Sequence, residues 1–415
     1  MKYFVISLSL LFLLSVISLG MAQKKPEVVT FWYNLNEKGS MKMEELIMKY
    51  NKEKKGKVII EPKKFASMKE LKKALFSAKT LPDTVLIDNR WQDELIAKGV
   101  ITSLQVHTLN IGTALKAAYK QDTYKVLFQS ALHDNQFWTF PYTCTNNALI
   151  VNLDMLYSLK IDKSPQGWFD LVKTGKPLME TAEGRVGLAL PTDESPEDLA
   201  AFFIAMMRQK KDGSLLSPEG KFAFNSEAGV TTLQFLQDLY QKYKIASTDV
   251  SPEGFFVGQA GMIFGNSHDY FHAQELGMNV EAVYLPKKDV RASDLYIQSL
   301  AMTKSNPDHE EAGFDFLLWL VEFKQLREFF LATSYIPVNK QIVACSAYFE
   351  YQNQHPGMRA FIKQLDWAKP IPTFRNYDEV MDFLGKEIFI CLKGEKTPRQ
   401  ALDDAANYGN GLLGF

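Results

Sequence analysis

VVTFWYNLNEKGSMKMEELIMKYNKEKKGKVIIEPKKF, residues 28–65, decides the fold class. VVTFWYN at its start is β-branched and aromatic, the composition of a buried strand. From Met41 onward the apolar residues Met43, Leu46, Ile47 and Tyr50 recur at helical spacing. The charged run 51–57 then reads as a solvated turn, because Glu53 interrupts its positive charge and it lies between a helix and a strand. KVIIEPKKF is a second strand. A strand, a helix and a strand in this order form a unit whose parallel sheet must be covered on both faces.

The pattern continues outward. MKELKKALFSAK (68–79) predicts a second amphipathic helix, TVLIDN (84–89) a third strand, and WQDELIAKGVI a helix stopped at Gly99. The chain is thus expected to be α/β, with mainly parallel sheets flanked by helices. FWTFPYTCTNNALIVN (137–152) divides two extended apolar pieces and reads as a first crossing into a second lobe. That lobe takes in LDMLYSLKI, DLAAFFIAMMRQK and GVTTLQFLQDLYQKY as helices, with GRVGLAL and GMIFGNS as short strands. EAVYLP (281–286) heads back, and SLAMTKSN with the helical EAGFDFLLWLVEFKQLREFFL completes the first lobe. The expected division is residues 23–138 with 292–342 in an N-terminal lobe, and 139–291 with 343–415 in a C-terminal lobe. Several short crossings favour hinge closure over independent tumbling.

A chain of 415 residues, 46% hydrophobic, can bury two substantial cores. Its 47 Lys and Arg against 48 Asp and Glu give no basic surplus, so no nucleic-acid partner is expected. MKYFVISLSLLFLLSVISLGMAQKK has a short positive start, an apolar run and small residues before Gln23, the pattern of a secretory leader ending at Ala22. Residues 1–22 are therefore expected to be a cleaved signal peptide, and the mature chain periplasmic. Cys144, Cys345 and Cys391 are odd in number, widely spaced and without a CxxC pair, which leaves at most one disulfide and no zinc knuckle.

Catalytic signatures are missing. The sequence holds no GxSxG elbow, phosphate loop or dinucleotide fingerprint. His268 and His272 in HDYFH share a helical face but lack the third ligand and base of a metalloprotease, so no metal is expected. Neither cofactor nor enzymatic activity is expected. Trp32 and Trp138 stand at the ends of predicted strands, where an indole can lie against the apolar face of a sugar or simply fill a core. Tyr335, in the helix-ending turn TSYIPVNK, is placed at the mouth of a cleft between the lobes.

PDTVLIDNRWQDELIAKGVITSL, FPYTCTNNALIVNLDML, FAFNSEAGVTTLQFLQDL, FFVGQAGMIFGNS, TSYIPVNK and GEKTPRQALDDAANYGNGLL occur in an order that resembles the extracellular solute-binding proteins serving ABC importers of sugars. With HPGMRAFIKQL between the last two, the chain looks most like the periplasmic glycerol-3-phosphate-binding branch. The resemblance implies a type II two-lobed binding-protein fold that closes on a solute and docks, as a monomer, onto an inner-membrane permease. By motif, Asp88 matches an acidic ligand position, Cys144 and Thr145 a serine pair, Asn266 and Ser267 polar positions after FFVGQAGMIF, and Tyr335 the tyrosine of a TGYLP-like turn. Ser67 matches a further ligand tyrosine, and Arg375 the arginine that holds phosphate.

One departure bears on the solute. Where the branch carries a glycine pair, this sequence has Leu295 and Tyr296, so Tyr296 occupies a position from which a ligand would otherwise approach backbone. Capture of glycerol 3-phosphate or a glycerophosphodiester is the function the resemblance implies. A neutral mono- or oligosaccharide suits the lost glycines, and a secreted glycoside or phosphodiester hydrolase would need a convergent acid and base.

Overall fold

The computed structural model describes residues 25–107, 119–179 and 184–415; the expected leader lies outside them. In chain order the strands are Glu27–Tyr33 (β1), Val58–Lys64 (β2), Thr84–Asp88 (β3), Ile101–Thr102 (β4), Leu132–His133 (β5), Gln136–Phe137 (β6) and Phe140–Thr145 (β7). Ala148–Asn152 (β8), Val186–Ala189 (β9), Ala246–Ser247 (β10), Ala260–Gly265 (β11) and Val280–Val283 (β12) follow. Ser293–Thr303 (β13) and Ala368–Pro370 (β14) are the last. One sheet runs β14-β13-β3-β1-β2, with β4 and β7 also paired to β13; the other runs β10-β9-β11-β8-β12. The expected two-lobed α/β fold is what these sheets and their helices build.

The sheets are mixed rather than mainly parallel. β1 pairs parallel with β2 and β3, but β13 is antiparallel to β3, β4 and β7, and β8 is antiparallel to β11 and β12. Among the strands read from the sequence, β1 with β2 and β3, and β9 with β11, pair in parallel, whereas β7 and β8 pair antiparallel. Those arriving by a crossover from the other lobe enter in the opposite direction, and local pattern says nothing of direction.

β1 shows why each layer forms. Val29, Phe31 and Tyr33 are fully buried on one face, while Trp32 packs on the other with Phe65 and the cluster around Leu71. The first face is covered by the helix Glu37–Glu53, which buries Met43, Leu46, Ile47 and Tyr50, the four positions its periodicity picks out. It starts earlier than the apolar pattern because the Asn36 side chain accepts from the Gly39 N–H at 2.8 Å and caps it. In the second lobe the helix Pro196–Met207 lies against Tyr377–Lys393, which in turn packs on Pro398–Leu413; Leu199, Phe203, Leu384, Ile388 and Leu402 share one core.

The crossings fall later than expected. β7 belongs to the first sheet and β8 to the second, so the chain changes lobes at Asn146 and Asn147, not at 138/139. Pro141 reads as a break in the sequence, yet it faces Ser299 where the register shifts beside Gln298, a place where a missing N–H costs no ladder bond. Gln364 fastens this crossing, donating to Asn146 Oδ1 and to the Asn147 carbonyl, each at 3.0 Å. Residues 343–370 also depart from the expected division. β14 joins the first sheet, and the helices Ser346–Gln354 and Met358–Lys363 share a core with residues of both sheets.

The helix pair of the second lobe meets at a glycine. A Cβ on Gly385 would lie 1.8 Å from the Pro196 carbonyl oxygen, so only glycine lets the two helices approach. Gly385→Ala is expected to cost about 1–3 kcal/mol through forced separation of backbones, read as a lower urea midpoint with unchanged slope.

Candidate functional site

A cleft of about 600 Å³ lies between the two sheets. Its walls combine strand ends, where side chains leave a sheet unopposed by a neighbour, with a stretch inside β13 and one helix face. From the first lobe come Asn34 after β1, Asp88 at the end of β3, Thr143 to Thr145 of β7, and Tyr296 to Gln298 of β13. From the second come Thr192 beyond β9, Phe264 and Asn266 at the end of β11, and the face of Pro196–Met207 that carries Asp198, Ala201, Phe202 and Ala205. Ligands of open α/β sheets settle at the carboxyl ends of strands for the same reason.

Several polar groups are held in place. Gln298 accepts from the Thr143 hydroxyl at 2.9 Å and donates to the Asn34 carbonyl at 3.0 Å, which ties three strands at the cleft floor. Asp88 accepts from Arg90 Nε at 3.0 and 2.9 Å and from Nη2 at 2.6 Å, so its charge is neutralised behind the wall. Arg90 itself lies 4.7 Å over the Tyr377 ring. Asn266 and Asp269 form a capping box: Asn266 Oδ1 accepts from the His268 N–H at 2.7 Å, and Asp269 Oδ2 from the Asn266 N–H at 2.8 Å. Tyr335 stacks on Phe329 at 5.9 Å and meets the His268 ring edge-on at 4.6 Å; burial pushes its hydroxyl up to about 12.

Of the residues singled out in the sequence, the structure brings Asp88, Cys144, Thr145, Asn266, Tyr296 and Tyr335 together on the cleft. Cys144 is a free thiol whose pKa burial raises, with its sulfur 3.6 Å from the Ile336 carbonyl. The other five do not line it. Trp32 packs against Phe65 with Lys63 over its ring, and Trp138 sits against the core with its indole N–H buried. Ser67 caps the helix Met68–Ser77, leaving the next residue, Met68, to reach the cleft. Ser267 is wholly buried beneath the wall. Arg375 is exposed in the turn before Tyr377–Lys393, where Asn376 takes a left-handed conformation and Phe374 turns into the core.

Sequence reading missed Asn34, Asp198, Phe202, Gln298 and the lining role of His268. Asp198, Ala201, Phe202 and Ala205 recur at positions i, i+3, i+4 and i+7 of a helix whose one other charged residue is Glu197 in its first turn. That stripe, carrying an acid and two small residues, was a legible signal for a face turned to a ligand rather than to a core.

The electrostatics are one-sided. Asp88, Asp198, Glu253 and Asp269 line the cleft, and no Lys or Arg is among the described residues that do. Burial and the neighbouring Glu253 raise the pKa of Asp198, burial raises that of Asp269, and the Ser251 hydroxyl lowers that of Glu253. Burial depresses His268 to about 4, so its imidazole is neutral at pH 7. Among the described residues no group of three or more His, Cys, Asp or Glu could hold a metal ion, and no helix is long and apolar enough to cross a membrane.

Comparison with known proteins shows what the chain is similar to. The chain is 20% identical to the galactooligosaccharide-binding protein of Bacillus subtilis over 406 residues, covering 94% of this chain and 91% of that one. It is 21% identical to the sn-glycerol-3-phosphate-binding periplasmic protein UgpB of Shigella dysenteriae, with 66% of each chain covered. Its fold is similar to that of the cyclic alpha-maltosyl-1,6-maltose binding protein of Arthrobacter globiformis, with a TM-score of 0.81, 23% identity and coverage of 94% of this chain and 99% of that one. UgpB of Mycobacterium tuberculosis, in complex with glycerophosphocholine, aligns with a TM-score of 0.78 at 16% identity, covering 94% and 98%. The model of the bacterial extracellular solute-binding proteins matches residues 45–356. With most of the chain inside that match, and the cleft lying between two lobes, the protein belongs to the bacterial extracellular solute-binding protein family.

Proposed function

We propose that the protein is the exported solute-capturing component of an ABC importer and that its solute is an uncharged saccharide. The carrying observation is the charge of the cleft: Asp198, Glu253 and Asp269 line it beside an Asp88 that Arg90 neutralises from behind, and neither Lys nor Arg lines it, among the described residues. A phosphate dianion requires a guanidinium fork or several backbone donors. Arg375 is exposed and outside the lining, and Arg90 is already engaged by Asp88. Glycerol 3-phosphate, the solute the sequence resemblance implies, would meet repulsion there. Carboxylates suit sugar hydroxyls, which donate to them, and the rings of Phe202, Phe264, Tyr296 and Tyr335 offer apolar faces for pyranose C–H groups.

Capture is reversible, and no bond is broken. The solute bridges both walls, and the closed population rises by the affinity the solute has in excess for that form. The acidic surplus also favours a second reading, a saccharide that carries a protonated amine. Both are tested by a thermal-shift panel of leaderless protein with galacto- and malto-oligosaccharides, glucosamine, glycerol 3-phosphate, glycerophosphocholine and phosphate. A saccharide at about 100 times its Kd is expected to add about 2.7 kcal/mol of stability, and Phe202→Ala to abolish the shift. A shift with glycerol 3-phosphate or phosphate and with no saccharide would sink the reading.

A further inference from the structure

His268 joins the lobes as well as lining the cleft. Its Nδ1 lies 3.1 Å from Asn36 Nδ2 and within hydrogen-bond reach of the Ser334 hydroxyl. Asn36 follows β1 and Ser334 follows the helix Phe323–Ala332, both in the first lobe, while His268 opens the second-lobe helix Ser267–Glu275. The same two segments are tied again by the ion pair between Lys38 and Glu275.

The polarity of the contact follows from the neighbours. Asn36 Oδ1 is committed to the Gly39 N–H at 2.8 Å, so its amide N–H₂ faces the imidazole and donates. Nδ1 must then be an unprotonated acceptor, with the ring proton on Nε2, and the Ser334 hydroxyl shares that acceptor. Tyr335 fixes the geometry from the side: its hydroxyl accepts from the Asn36 N–H at 3.2 Å, and its ring meets His268 edge-on. A Cβ on Gly39 would come within 2.9 Å of both Asn36 Oδ1 and Tyr335, so glycine is required where the capped helix passes this ring.

We propose that His268 Nδ1 is the shared acceptor of an interlobe lock, closed by Asn36 and Ser334, that holds the two lobes together without solute and so sets the fraction of molecules open to capture. His268 is a positioning residue in this scheme. It works through the equilibrium between open and closed forms, whatever the solute. Loss of the acceptor is expected to shift that equilibrium toward the open form roughly ten-fold, the scale of one or two net hydrogen bonds. A solute that needs the closed form would then bind more weakly in proportion to the closed fraction lost.

The test is small-angle X-ray scattering of the leaderless, solute-free protein. His268→Ala is expected to raise the radius of gyration. His268→Asn should restore the wild-type value, because asparagine Oδ1 is as many bonds from the backbone as imidazole Nδ1 and can accept from the same donors. Asn36→Ser provides an independent arm: serine still caps the helix but is too short to reach His268, so this variant should open like His268→Ala. The lock is refuted if the alanine and serine variants scatter as wild type. It is equally refuted if His268→Asn stays as open as His268→Ala, since bulk and not an acceptor would then hold the lobes. No solute enters the measurement, so neither outcome bears on the saccharide reading.

Discussion

Arg208→Met is expected to destabilise the protein by about 3–5 kcal/mol, the loss seen when one partner of a buried ion pair is removed. Arg208 caps the C-terminal end of Pro196–Met207 and pairs with Asp294 near the start of β13, and the two side chains are only 8% and 6% exposed. Burial raises the Asp294 pKa, and the guanidinium opposes that rise. Without Arg208 the carboxyl must stay charged in a poorly solvated site or take up a proton, and either costs free energy. The effect reaches the cleft, because the pair ties the helix carrying Asp198 and Phe202 to the strand carrying Tyr296. Urea denaturation checks it, with the double variant Arg208→Met/Asp294→Leu as control. The double variant is expected to recover most of the loss, since it removes the stranded charge. An Arg208→Met midpoint equal to wild type would mean that the pair is solvated and the account wrong.

Acidification produces the second large effect. His268 titrates near 4 in the folded protein against 6.5 for the free side chain, and burial is the cause. The unfolded chain therefore binds more protons than the folded one between those values, and stability falls as pH drops through that window. Its share is fully kept above about pH 6.5 and reaches a loss of about 3 kcal/mol at pH 4, an upper bound for a side chain not wholly out of water. Other groups lie close by: Asp269 on the same helix and Asp198 on the same wall of the cleft have raised pKa values, and Lys38 and Glu275 lie beside the contact. The difference between wild type and His268→Asn isolates the imidazole, because asparagine does not titrate. That difference in unfolding free energy, measured from pH 7 to pH 4, should change by up to about 3 kcal/mol against the wild type. A difference independent of pH would show that His268 is not held neutral by burial.

How much of this was legible follows from what each feature depends on. The helix Glu37–Glu53 was readable from Met43, Leu46, Ile47 and Tyr50, because a face is set by spacing within a few turns. β1, β2, β3, β9 and β11 were readable in the same way. The direction of β13 was not, since it depends on where the chain returns from a crossover. Pro141 misplaced the lobe boundary because its tolerance rests on a register shift in a strand more than 150 residues away.

The site divides along the same line. Tyr335, Asp88, Cys144, Thr145, Asn266 and Tyr296 lie on the cleft, and their motifs pointed to them. Trp32 and Trp138 look alike in sequence to any cleft aromatic, but which face of a strand meets solvent is decided by the helices that cover the other. Arg375 reads as a phosphate ligand until the turn at Asn376 leaves it exposed. The sequence by itself determined the α/β class, two lobes and a balanced overall charge, because these follow from composition and from periodicities shorter than a helix. Only the tertiary structure decided that the cleft is acidic and that His268 bridges to Asn36, 232 positions away. Charge in a cleft and hydrogen bonds across it depend on which distant side chains share one volume, and no local pattern encodes that.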